Sequence, residues 1–61
     1  MKPFDIATKY RLSEMQVYSV MRYLRTTKGV KFTRQGKRYN LTKEEVQVVE
    51  KELERRGYKA G

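Results

Sequence analysis

Apolar residues along the chain form helical stripes at both ends and an alternating pattern between them, with polar residues at each join. Phe4, Ile6, Ala7 and Tyr10 give a short first helix, about 4–10, a mostly apolar face. Pro3 suits its first turn, where a missing N–H costs nothing. Val17, Val20, Met21 and Leu24 stand at i, i+3, i+4 and i+7 and predict a second helix running to about Arg25. Ser13-Glu14-Met15-Gln16 opens that helix as a capping box, Ser and Gln each satisfying an N–H that has no partner within the helix. Thr26, Thr27 and Gly29 end it.

The period then changes. Val30-Lys31-Phe32-Thr33 and Arg38-Tyr39-Asn40-Leu41 alternate in the rhythm of strands, with Arg34-Gln35-Gly36 as the turn between them. Such a hairpin turns Val30, Phe32, Tyr39 and Leu41 inward. A second capping box, Thr42-Lys43-Glu44-Glu45, opens a closing helix over about 43–56 with Val46, Val49 and Leu53 on one face. Its acidic first turn and Arg55-Arg56 end complement the helix dipole, and Gly57 suits the stop. The expected architecture is one domain over residues 1–61, α+β but mostly α, in the order helix-helix-β-hairpin-helix.

Charge narrows the partner. Fifteen Lys and Arg face seven Asp and Glu, a net charge of +8. Residues 1–41 hold ten basic and two acidic side chains, whereas residues 42–61 hold five of each. An excess concentrated in this way favours a polyanion, nucleic acid first and an anionic membrane surface second. A chain of 61 residues has little room for a deep pocket, and without His or Cys it has no imidazole base, thiolate or sulfur–nitrogen zinc site. Five tyrosines and Ser19 lack an activating base, so no catalytic residue, cofactor or metal is expected. The longest apolar run is two residues, which predicts a cytoplasmic protein with no membrane segment.

Two short matches carry no weight. Gly29 to Lys37 has six residues between its glycines where a phosphate loop has four, and Thr42 of the glycosylation sequon at Asn40 serves as an N-cap.

The join at Arg11-Leu12 is about three residues, the length at which two helices cross as a helix-turn-helix, and small Ala7 allows their close approach. Residues Ile6 to Val20 resemble the DNA-binding helix-turn-helix. The following "GVKFTRQGKRYNLTKEEVQVVEKEL" resembles the wing and closing helix of MerR-type and phage excisionase-like winged domains. Arg38, Tyr39, Glu44, Glu45 and Val46 stand in the register of that pattern, and the resemblance covers about 50 of 61 residues. It departs in two respects. Arg11 occupies a turn position often held by Gly, and the long dimerisation helix and effector domain of full MerR regulators are missing.

The resemblance implies a small winged helix-turn-helix: the helix-turn-helix over about 4–25, the wing over about 29–41 and the closing helix over about 43–56. It further implies a sequence-preferring double-stranded DNA-binding protein, either a recombination directionality factor or a small phage or plasmid transcription regulator. Such a protein would bend DNA, self-associate on adjacent sites and work beside an integrase or polymerase.

Under that reading the second helix presents Ser13, Glu14, Gln16, Tyr18, Ser19 and Arg22 to the major groove. Gln pairs with adenine and Arg with guanine, while Ser and Tyr more often meet phosphate. Glu14 either accepts from cytosine N4 or favours the positive helix N-terminus. Lys31, Arg34, Gln35, Lys37 and Arg38 of the wing are the candidate backbone contacts, against the plainer role of blunting a strand edge. The alternative function is a basic adaptor that docks a recombinase or polymerase without reading DNA. RNA ranks lower, because the wing is expected to lack an aromatic platform for exposed bases.

Overall fold

The computed structural model describes residues 1–61 as α1 (Pro3–Tyr10), α2 (Glu14–Thr27), β1 (Arg34–Gln35), β2 (Arg38–Tyr39) and α3 (Lys43–Arg55). The order is the expected one, three helices and an antiparallel two-stranded hairpin. No helix is long and apolar enough to cross a membrane.

The apolar stripes meet in one core. Ile6, Val17, Val49 and Leu53 are fully enclosed, one or two from each helix. Ala7, Tyr10, Val20, Met21, Leu24, Leu41 and Val46 complete the cluster. Leu12, Tyr23, Val30, Phe32 and Tyr39 pack half-buried on its edge. Phe4 departs from expectation: it is 58% exposed. It stands two residues before Ile6, roughly 200° round the helix, so a roll that buries Ile6 turns it outward.

Both capping boxes form. The Ser13 hydroxyl accepts from the Gln16 N–H at 3.2 Å, and Gln16 Oε1 accepts from the Ser13 N–H at 2.9 Å. Thr42 and Glu45 repeat the exchange at 3.2 and 3.0 Å. Glu45 also accepts from the Thr33 N–H at 3.0 Å and the Thr33 hydroxyl at 2.8 Å, tying the base of the hairpin to α3. Burial pushes the Glu45 carboxyl up, but these hydrogen bonds from Thr33 and Thr42 outweigh it and hold its pKa below the usual range.

One turn motif closes two helices with different residues. After α3, the Tyr58 N–H returns to the Leu53 carbonyl and the Gly57 N–H to that of Glu54, each at 3.0 Å, with Gly57 at φ 97°. After α1, Leu12 returns to Ala7 at 2.8 Å and Arg11 to Thr8 at 3.3 Å, with Arg11 at φ 56°. A side chain in that left-handed conformation costs about 1 kcal/mol. The bonds that set α1 across α2 are thus made in spite of the residue at the corner.

The hairpin is shorter than its alternation predicts. Arg34 faces Tyr39 and Gln35 faces Arg38, so Arg34 and Gln35 belong to a strand rather than to the turn. The turn is Gly36-Lys37; only Gly36, at φ 64°, has positive φ, the pattern of a type II′ turn. The ladder continues for one more bond, from the Asn40 N–H to the Thr33 carbonyl at 2.9 Å, and residues 30–33 add no further strand, two of their donors being bound by other elements. The Val30 N–H binds the Leu24 carbonyl at 3.2 Å, and that of Thr33 binds Glu45. Beyond β2, Leu41 exchanges backbone hydrogen bonds with Met1, each 2.9 Å.

Candidate nucleic-acid interface

The buried stripe of α2 fixes its roll, leaving Glu14, Met15, Gln16, Tyr18, Ser19 and Arg22 exposed. The hairpin lies along one flank of this surface. Tyr39 joins them: its ring centroid is 5.9 Å from that of Tyr18 and 6.5 Å, edge-on, from that of Phe32. Between helix and hairpin runs an open cleft of about 320 Å³, bordered by Met15, Tyr18, Ser19, Arg22 and Arg25 of α2 and by Phe32 and Tyr39. Two adjoining clefts share Tyr39, one with Lys2, Phe4, Glu14 and Arg38, the other with Arg25, Lys31 and Arg34.

The structure therefore gathers Glu14, Tyr18, Ser19 and Arg22 with Lys31, Arg34 and Arg38 on one continuous surface. Lys37 stands exposed in the hairpin turn and lines none of these clefts. Gln35 accepts from the Asn40 amide at 3.2 Å across the hairpin. Ser13 and Gln16 are committed to the cap, where Gln16 Oε1 accepts from both the N–H and, at 3.3 Å, the hydroxyl of Ser13. A bidentate pairing with adenine needs both amide atoms of a Gln, so it would break that cap. Glu14 has no hydrogen-bonded or ion-paired partner and occupies the first turn of α2.

Sequence reasoning missed Lys2, Met15, Arg25 and the joint role of Phe32 and Tyr39. Arg25 stands three residues beyond Arg22 and seven beyond Tyr18, a spacing that places it beside them and was available in the sequence. Met15 carried no polar signal. The aromatic cluster could not be read from the hairpin, because Tyr18 comes from α2. It offers no flat stacking platform: the rings of Tyr18 and Tyr39 are tilted by 44°, and the Arg34 guanidinium sits 4.5 Å from the Tyr39 centroid. Arg34 also donates to the Tyr39 hydroxyl at 2.9 Å, so the tyrosine fixes where that cation points.

Ion pairing is uneven across the molecule, although Lys2, Arg11, Lys43, Lys51 and Lys59 are unpaired too. Lys9 pairs with Glu50 at 2.9 Å, and Arg55 and Arg56 converge on Glu52 at 2.6 and 2.7 Å. Every pair uses a carboxylate of α3. Residues 14–41 carry seven cations and one acid, and none of those cations has a carboxylate at ion-pairing distance.

The groups with the largest shifts belong to the scaffold. Hydrogen bonds from Arg55 and Arg56 hold the Glu52 carboxyl down at about 2. Burial, then a 3.0 Å hydrogen bond to Glu54, pushes the Tyr10 phenol up to about 12. No group of three or more carboxylates converges as a metal site.

Comparison of the chain with protein-family models, with curated proteins and with solved structures returns no match.

Proposed function

We propose that this chain is a sequence-preferring double-stranded DNA-binding protein of the winged helix-turn-helix type, with α2 entering the major groove and the hairpin serving as the wing on the adjacent backbone. The observation that carries the reading is the set of unpaired cations on α2 and the hairpin, beside an α3 whose carboxylates hold every ion pair. Unpaired like charges on one surface repel one another, and a polyphosphate is the partner that relieves this. A helix about 10–12 Å across with its side chains fits a major groove about 12 Å wide, and the 14 residues of α2 give it about 21 Å to lie along that groove.

The resemblance of the sequence to excisionase-like and MerR-type domains extends the proposal to a recombination directionality factor or a compact regulator of transcription. The longest dimension of the molecule, 29 Å, is shorter than one turn of duplex at about 34 Å. A footprint so small favours copies on adjacent sites.

Selection of bound duplexes from a random pool, followed by footprinting and a salt titration, tests the proposal. A preferred site should emerge, and log affinity should fall against log salt with a slope of about −4 to −5. Binding that ignores salt would overturn it. Exposed Phe4 and Met15, each lining a cleft shared with exposed Tyr18, favour a second reading, an adaptor that docks another protein. An adaptor would select no site from the pool.

A further inference from the structure

On the duplex-DNA reading, which this assignment requires, we infer that Met15 and Tyr18 read the C5-methyl groups of thymines. Met15 is 78% exposed and Tyr18 41% exposed. They lie three residues apart on α2: Met15 faces away from the buried stripe, and Tyr18 stands on the flank beside the hairpin, its ring 5.9 Å from that of Tyr39, so the helix fixes their separation. Nothing in the fold gains from a methionine held almost wholly in water.

The surroundings identify the occupant. Arg22, Arg25 and Arg38 border the same clefts, and none of them has a carboxylate partner. An apolar centre rimmed by unpaired cations complements an apolar group flanked by phosphates. The major groove presents one such group on its base edges, the thymine methyl. A methionine thioether is flexible and polarisable enough to follow that contour.

The alternatives on the same helix are depleted. Ser13 and the Gln16 carbonyl are held in the cap, and the Glu14 carboxylate repels phosphate. Of the exposed side chains that remain, Ser19 more often meets phosphate, and Arg22 is the bidentate hydrogen-bonding reader, seven residues or roughly 10 Å beyond Met15. The selected site should therefore carry thymine about three base pairs from a guanine.

The experiment replaces thymine by deoxyuridine in the selected duplex, which removes the methyl group and leaves every hydrogen-bonding atom in place. Affinity should fall about fourfold for each contacted thymine. Met15→Ala should weaken binding to the thymine duplex and then respond much less to deoxyuridine at the one thymine that Met15 touches, since the two changes remove one contact, while the response at the thymine under Tyr18 persists. Equal affinity for both duplexes overturns the methyl contact while leaving the DNA-binding reading intact. So does a Met15→Ala loss that is the same on both. Failure of the protein to bind any duplex, with Met15→Ala impairing capture of a protein partner, overturns both readings. A thermal melt of Met15→Ala should match that of the unaltered chain, because this side chain lies outside the core.

Discussion

The closing helix and the α2–hairpin surface use the same residue types to opposite ends. Residues 42–61 balance five cations with five acids, and the acids of α3 also draw in Lys9 of α1. The buried Glu52 is held by two arginines at once, as a carboxylate removed from water must be. On residues 14–41 seven cations stand against one acid, and the hydrogen bonds formed there orient Arg34 rather than neutralise it. The difference teaches that one fold can use charge in two ways: α3 closes the fold with it, while α2 and the hairpin leave theirs unpaired at the expense of mutual repulsion.

The sharpest way to break that contrast is through the core beneath it. Leu53→Ala should cost about 2–5 kcal/mol, a large share of what a domain of this size possesses, and circular dichroism under denaturant should register it. Survival with an unchanged midpoint would deny α3 its closing role. The double change Arg25→Ala with Lys31→Ala, two cations that make no hydrogen bond or ion pair, should do the reverse. DNA affinity should drop and the salt slope become shallower by about 2, while the melting temperature holds or rises. A loss of stability there would mean that these cations serve the fold after all.

Acid should separate the two regions next. The Glu52 carboxyl titrates at about 2 in the fold against an ordinary 4.5. Its contribution to stability is therefore complete above pH 4.5 and is lost as pH falls from there towards 2. Glu45, also depressed, adds to the same limb. Melting temperature should decline through that window, and Glu52→Gln should start lower and decline less. The smallest effect concerns the shared turn motif. Arg11→Gly should stabilise by about 0.5–1 kcal/mol, whereas Gly57→Arg should destabilise by a similar amount, both read from denaturant midpoints.

Much of the scaffold was legible in the residue order. The spacing of Val17, Val20, Met21 and Leu24, with two capping boxes whose partners lie three residues apart, set the helices and their buried faces. These are local periodicities and need no knowledge of neighbours. The hairpin was legible in kind but not in length, because the N–H groups of Val30 and Thr33 are taken by Leu24 and Glu45, from two different helices. The candidate interface was half legible. Tyr18, Ser19 and Arg22 followed from the roll of α2, while Gln16 read as both cap and groove contact, and its carbonyl is taken by the cap.

By itself the sequence determined the three helices, their caps, the core they share and an excess of positive charge towards the N-terminal two-thirds. Periodicity and composition act within a segment, so a linear reading reaches them. Tertiary structure decided which cations remain unpaired, where the hairpin turns and that Tyr39 joins Tyr18 and Phe32 in one cleft-lining cluster. Each of those depends on distances between segments far apart in the chain, and only packing sets them.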